Sequence, residues 1–187
     1  MSATGQTATP MAAAGQTATP VAAAGQTATP VAAARAAVAA VVDPEIRVLT
    51  IDDLGILRGV EIDDATGAVR VTITPTYTGC PAMELMRSEI RAALARAGFA
   101  EATVVTVLAP AWSTDWISAA GRDKLAAAGI APPHPAATGP VPVPLTVRCP
   151  ACGSPRTEQL SRFGATACKS LWRCQACAEP FEQIKAL

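Results

Sequence analysis

Four cysteines near the C-terminal end stand in two pairs, Cys149-Pro150-Ala151-Cys152 and Cys174-Gln175-Ala176-Cys177, with twenty-one residues between the pairs. This spacing predicts a tetrathiolate metal site. Each tight turn aims two sulfurs inward, and strands in the intervening chain bring the two turns together around a tetrahedral ion. Gly153 after Cys152 supplies the left-handed backbone that such a turn often needs. Zn is the expected ion of a closed structural site of this kind, although the same four ligands also take Fe. Disulfides or four separately buried cysteines are the alternatives on residue type alone. Nothing at the N-terminus reads as a secretory signal, so a reducing cytoplasm, where thiols serve metals or reactivity, is the expected setting.

The other two cysteines lie outside this spacing. Cys80, in Thr76-Tyr77-Thr78-Gly79-Cys80-Pro81, falls between a strand end and a helix start. As the helix N-cap it would gain from the dipole and unpaired N–H groups, lowering its pKa and improving it as a nucleophile or metal ligand, with Glu84 opposing the shift. The plainer reading is a small buried residue at a tight turn. Cys168 precedes Lys169, whose charge favours a thiolate. It could exchange with a ribbon ligand, receive a cluster, or simply be buried. Asp43-Pro44-Glu45 offers two carboxylates, either for a site or for turn chemistry, and Asp52-Asp53 poses the same choice. His134, the only histidine, sits between prolines and is expected to be solvated. With no Ser-His or Cys-His pairing, hydrolytic catalysis has little support.

The elements that must position these residues follow from periodicity and breakers. Residues 5–34 are three near-identical ten-residue repeats rich in Ala, Thr and Gly, which predict a disordered tail over residues 1–34. An Ala-rich helix over 31–42 should end before Pro44. Residues 55–62 and 68–74 read as a hairpin, and Val69, Val71 and Ile73 alternate toward one face. Met83, Met86, Ile90 and Leu94 mark a helix over 81–97, stopped at Gly98. A strand over 103–108 should return parallel to the second, and a helix over 115–128 should start at Ser113 or Thr114 and stop at Gly129. The expected fold is α/β: a small three-stranded mixed sheet with packed helices in the order α-β-β-α-β-α, followed by a small β zinc ribbon. Its parts are the tail over 1–34, the α/β domain over 35–130, a proline-rich linker over 131–144 and the ribbon over 145–187.

Charge narrows the function classes. Residues 43–130 carry twelve acidic and eight basic side chains, and residues 145–187 three acidic and six basic. Four thiolates on a divalent ion would leave the ribbon nearly neutral, too little for strong phosphate binding, so a nucleic-acid module is disfavoured. No stretch is apolar enough to predict a membrane span.

Val42-Asp43-Pro44-Glu45-Ile46, the Asp53-Leu54-Gly55 turn and Thr76 through Pro81 resemble the SufT-type domain of iron-sulfur assembly and targeting factors. Adding residues 110–117, Gly129-Ile130-Ala131-Pro132-Pro133, the two knuckles and Phe163-Gly164-Ala165-Thr166-Ala167-Cys168-Lys169, the chain from Val38 to Leu187 is similar to the PaaD family of aerobic phenylacetate degradation. The resemblance implies a non-catalytic accessory protein that helps to assemble or install an iron-sulfur centre of the phenylacetyl-CoA oxygenase complex. Its implied partners are the oxygenase components, above all the [2Fe-2S] reductase, together with the iron-sulfur assembly machinery; a homodimer is also compatible. Asp43, Glu45 and Cys80 fall on the assembly domain's functional motif, where a transient Fe or iron-sulfur cluster would bind, with Cys168 as a further candidate. Cys149, Cys152, Cys174 and Cys177 fall on the metal ribbon. Ala165 stands where the family pattern leads one to expect Ser, which puts a hydroxyl role there in doubt. The other function class considered is an oxygenase component taking part directly in electron transfer.

Overall fold

The computed structural model describes residues 29–77, 79–80, 82–134 and 147–186. Helix α1 (Pro30–Ala39) starts inside the third repeat. The Thr29 hydroxyl accepts the Ala32 N–H at 3.3 Å, and Pro30 takes the first turn, where its missing donor costs nothing. Residues 30–34 of the expected tail are therefore helix, and Ala34 is fully buried in the core while residues 30–33 are exposed; residues 1–28 lie outside the described residues. The helix also stops earlier than its alanine content suggests. The chain turns at Ala40, and Val42 bridges Thr50, closing a loop that delivers Asp43 and Glu45.

Strands β1 (Leu57–Ile62) and β2 (Val69–Ile73) form the expected antiparallel hairpin. The Asp63 carboxylate organises its turn by accepting the Ala65 and Thr66 N–H groups at 3.1 and 2.8 Å. Helix α2 (Met83–Arg96) buries Met83, Met86, Ile90, Ala93 and Leu94, the predicted face, and β3 (Ala102–Thr106) returns parallel to β2. The sheet order is β1-β2-β3, and α1 packs against β1 and α2. Val69, Val71, Ile73, Ile90 and Leu94 are all at most 1% exposed and form the centre of the core.

The helix expected over 115–128 is broken in two. A short 3-10 turn (Thr114–Trp116) is capped by Ser113, Ile117 becomes extended to bury its side chain, and α3 (Ala119–Ala127) restarts from Ser118, whose hydroxyl accepts the Gly121 N–H at 2.9 Å. The break follows from competition between caps and from packing. Asp53 accepts the Ser118 N–H on its carbonyl at 2.9 Å, and its carboxylate takes the Lys124 ammonium at 2.6 Å and the Thr50 N–H at 3.0 Å. Burial works against this charge, but the Lys124 and Thr50 donors outweigh it and hold the Asp53 carboxyl below its ordinary range. Asp53 is thus a structural clamp, while Asp52 pairs with Arg35 at 3.0 Å.

The second sheet has the order β4-β7-β6-β5, formed by β4 (Ile130–Ala131), β5 (Thr157–Ser161), β6 (Lys169–Cys174) and β7 (Pro180–Ile184). Strand β4 precedes the proline-rich stretch yet pairs in parallel with β7, Ile130 opposite Glu182 and Ala131 opposite Gln183. The expected linker boundary at residue 131 is therefore crossed by β4, whose backbone groups find partners on the edge of β7. His134 is half-buried, its Nε2 without a hydrogen-bond partner among the described residues, which corrects the solvated reading; residues 135–144 lie outside them.

Candidate functional site

The two knuckles meet as their spacing predicts. All four sulfurs lie within 4.8 Å of one another, with Cys149 to Cys177 at 3.7 Å and Cys152 to Cys174 at 3.6 Å. A tetrahedron of sulfurs at a zinc–thiolate distance of about 2.3 Å has edges of about 3.8 Å, so these separations fit one ion at the centre. They are far too long for disulfides, and all six cysteines are free thiols. The Ala176 N–H points at the Cys174 sulfur at 3.4 Å, a contact that favours the ligating thiolate. Buried and exposed ligands alternate, Cys149 and Cys174 resting on the small core of Val147, Trp172 and Phe181. The four cysteines make a structural metal site.

The knuckles solve the same backbone problem unequally. Gly153 follows Cys152 at φ 71°, but the corresponding residue after Cys177 is Ala178, at φ 64°. An L-residue there carries about 1–2 kcal/mol of left-handed strain, part of which glycine's greater unfolded-state freedom would cancel. Ala178→Gly is expected to stabilise the metal-loaded ribbon by about 1 kcal/mol, seen as slower hydrogen exchange in β6 and β7.

A second constellation forms where the ribbon meets the first sheet. Asp43, Glu45, Thr76, Cys80, Trp112, Cys168 and Lys185 all contribute to the wall of one enclosed cavity of about 20 Å³, room for about one water-sized occupant. Asp43 is held by its own turn: its Oδ1 accepts the Glu45 and Ile46 N–H groups at 2.9 and 2.6 Å. The turn reading is therefore realised, and that same turn orients Glu45. Burial raises the carboxyl pKa of both Asp43 and Glu45; for Glu45 the neighbouring Asp43 charge adds to the effect, and the Cys168 thiol approaches its Oε2 at 3.9 Å.

Cys80 is not the N-cap. That position is Ala82, without a side-chain cap bond, and α2 begins at Met83. Burial raises the Cys80 thiol pKa and the charges of Glu45 and Asp43 add to this, outweighing the Ala82 N–H and the Tyr77 hydroxyl that point at its sulfur. The expected dipole-activated thiolate is thus replaced by a half-buried thiol flanked by carboxylates on its cavity side. Glu84 pairs with Arg87. Tyr77, to which no sequence pattern assigns a role, has its hydroxyl pushed up to about 12 by burial and by Cys80, and so stays a donor.

Cys168 is buried, 8% exposed, and packs into the core of the first domain, not against the knuckles. Burial raises its thiol pKa, against the Thr166 hydroxyl at 3.0 Å, which lowers it. Lys169 pairs with Glu182 at 2.7 Å and its charge still lowers the Cys168 thiol pKa as expected, but by less than burial raises it. Glu182 also accepts the Ala165 N–H at 2.7 Å, so position 165 holds its loop through the backbone and needs no hydroxyl. Trp112, seen in the sequence only as part of a motif, donates its Nε1–H to the Leu54 carbonyl at 2.8 Å and closes the cavity wall. Among the described residues, the tetrathiolate is the only group of three or more ligand side chains within mutual reach of one ion.

Two families match the chain: "Iron-sulfur cluster assembly protein" over residues 32–108 and "PaaD zinc beta ribbon domain" over residues 134–185. An Escherichia coli (strain K12) protein, provisionally named as a component of 1,2-phenylacetyl-CoA epoxidase, is 45% identical over 152 residues, covering 81% of this chain and 90% of that protein. The Fe-S protein maturation auxiliary factor YitW of Bacillus subtilis (strain 168) is 35% identical over 89 residues, 48% of this chain and 78% of that one. A crystal structure of a domain of unknown function, DUF59, from Bacillus anthracis aligns at 29% identity with a TM-score of 0.46, covering 49% of this chain and 87% of that one. With an assembly domain and a four-cysteine ribbon joined in one chain, and with identity to the Escherichia coli protein sustained over nearly its whole length, the chain belongs to the PaaD family.

Proposed function

We propose that this protein is a non-catalytic accessory factor of a phenylacetyl-CoA epoxidase that assists maturation of the complex's iron-sulfur centre, acting through Cys80. The names of its relatives support the setting, one being assigned to that epoxidase and another to Fe-S protein maturation. The observation that carries the mechanism is the convergence of two thiols and two carboxylates, Cys80, Cys168, Asp43 and Glu45, on one sheltered cavity. Soft thiolates suit iron or a cluster edge, and the carboxylates offer acceptors for the protons that leave as thiols become ligands. Because these four side chains do not form a closed ligand set as they stand, the site suits a cargo or client thiol held in passing better than a resident cluster. The ribbon's ion is Zn on this reading, consistent with its closed four-sulfur geometry. The epoxidase components, above all the [2Fe-2S] reductase, and the iron-sulfur assembly machinery are the partners. A division into an assembly unit over 35–130 and a ribbon over 145–187 is part of this reading, supported by the two matched ranges, 32–108 and 134–185.

Cys80→Ser tests the reading. Co-expressed with the epoxidase reductase, it is expected to lower [2Fe-2S] occupancy severalfold, read by iron content and visible absorption, while the ribbon keeps its metal. Undiminished reductase loading would remove Cys80 from the mechanism. Elemental analysis and an anaerobic visible spectrum of the wild-type chain address its own metals: zinc without charge-transfer bands accords with the accessory role, whereas stoichiometric iron with such bands would mark an electron-transfer component.

A further inference from the structure

The Cys80 cavity is closed partly by the ribbon. Cys168, Ile184 and Lys185 form part of its wall, and both Cys168 and Ile184 belong to the core of the first domain. Each of these residues is joined directly to the metal knuckles by one strand. Strand β6 begins at Lys169, immediately after Cys168, and ends at the ligand Cys174. Strand β7 begins at Pro180, three residues after the ligand Cys177, and ends at Ile184. At about 3.3 Å per residue, each strand spans roughly 17–20 Å. The metal site and the thiol cavity therefore occupy opposite ends of the same antiparallel pair, whose register matches Lys169 with Ile184 and Arg173 with Pro180.

What holds that pair in shape is limited. The ribbon core consists of Ala131, Val147, Cys149, Trp172, Cys174 and Phe181, and two of these six are metal ligands. A unit with so small a core depends on its ion to fold. At the cavity end the strands are fastened by the Lys185 N–H to the Cys168 carbonyl at 3.0 Å, by the Lys169–Glu182 pair and by the two-residue strand β4. The first two of these contacts join β6 to β7 and are lost if the strands separate, whereas β4 holds β7 alone. The first domain has a much larger core of its own, so it can stay folded when they do.

We infer that the ribbon is a metal-dependent cover for the inner side of the Cys80 site: with metal bound, β6 and β7 seat Cys168 and Ile184 in the cavity, and metal loss withdraws them, exposing Cys168 and opening the cavity side of Cys80, which is half-buried and whose other side already lines an open groove with Met83, Glu84 and Thr106. This deepens the proposed role of Cys80 without depending on what cargo the site takes. It also assigns Cys168 as the residue the ribbon contributes to that site, across eighty-eight positions of sequence.

Thiol footprinting of the full-length protein tests this. The metal-loaded chain and a chelator-stripped chain are pulsed with N-ethylmaleimide, and labelling is read peptide by peptide, with amide exchange in α2 and β2 monitoring the first domain. Stripping is expected to speed labelling of buried Cys168 more than about tenfold, as for a site released by local opening, and that of half-buried Cys80 by a smaller factor, while α2 and β2 stay protected and added zinc restores the slow rates. Labelling that accelerates only at the four knuckle cysteines would overturn the inference, as would loss of protection in α2 and β2, which would signify general unfolding. Failure here with intact Cys80-dependent loading of the reductase would leave the proposed function standing; metal-dependent release of Cys168 without any effect of Cys80→Ser on loading would do the reverse.

Discussion

Replacing Cys174 with serine is expected to leave the ribbon without bound metal and unfolded, the largest effect of any single substitution in that half of the chain. Cys174 is fully buried, its sulfur lies 3.6 Å from that of Cys152, and its N–H is bonded to the Glu179 carbonyl at 2.9 Å within the knuckle turn. Serine offers a shorter, harder and neutral oxygen in place of a thiolate. Structural zinc contributes apparent binding energies of about 10–16 kcal/mol to small domains of this type, more than the six-residue ribbon core can replace. Elemental analysis should show the metal content falling from one ion per chain toward none, and hydrogen exchange should show β5 to β7 unprotected while α2 remains protected. Full metal occupancy together with protected β6 amides would contradict the account.

Gly55→Ala is expected to destabilise the first domain by about 2–5 kcal/mol, measured as a lower denaturant midpoint with an unchanged fold in the molecules that remain native. Two independent effects add here. Gly55 has φ +68°, which is strained for alanine, and an added Cβ would lie 2.6 Å from both the Cβ and the carbonyl oxygen of Trp116. The obstacle includes main chain that Ile117 and Ser118 anchor, through burial and through the bond to Asp53, so it cannot move aside cheaply. The same turn supplies the Leu54 carbonyl that receives Trp112, hence the substitution should also loosen the cavity wall. A change under 1 kcal/mol would mean that the Trp116 turn is softer than its packing indicates.

Local patterns in the chain reported local structure well. The alternation of Val69, Val71 and Ile73 and the three-and-four spacing of Met83, Met86, Ile90 and Leu94 became the buried faces of β2 and α2, because side-chain direction follows backbone period. The Cys-x-x-Cys pairs became a tetrahedral cluster because two ligands in one tight turn are already near each other before any tertiary contact forms. Errors arose where two local solutions compete and packing chooses. Ser113 and Ser118 can each start a helix, and burial of Ile117 with the pull of Asp53 selected both in succession. Cys80 resembles a cap only if the first helical turn begins two residues earlier than it does, and with the dipole removed its environment is governed by burial and by Glu45.

Residue types and spacings alone carry the four-sulfur metal site, the mixed three-stranded sheet with its helices, and the candidate status of Asp43, Glu45, Cys80 and Cys168. It takes the folded chain to bring Cys80 and Cys168 to one cavity and to turn Cys168 away from the knuckles beside it in sequence. The reason is that no spacing rule connects residues eighty-eight positions apart. Their meeting depends on how the ribbon docks, which is set by the pairing of β4 with β7 and by burial of Cys168 and Ile184 against the first core. Such docking follows from the summed burial of both surfaces, a property of the folded chain that no single segment carries.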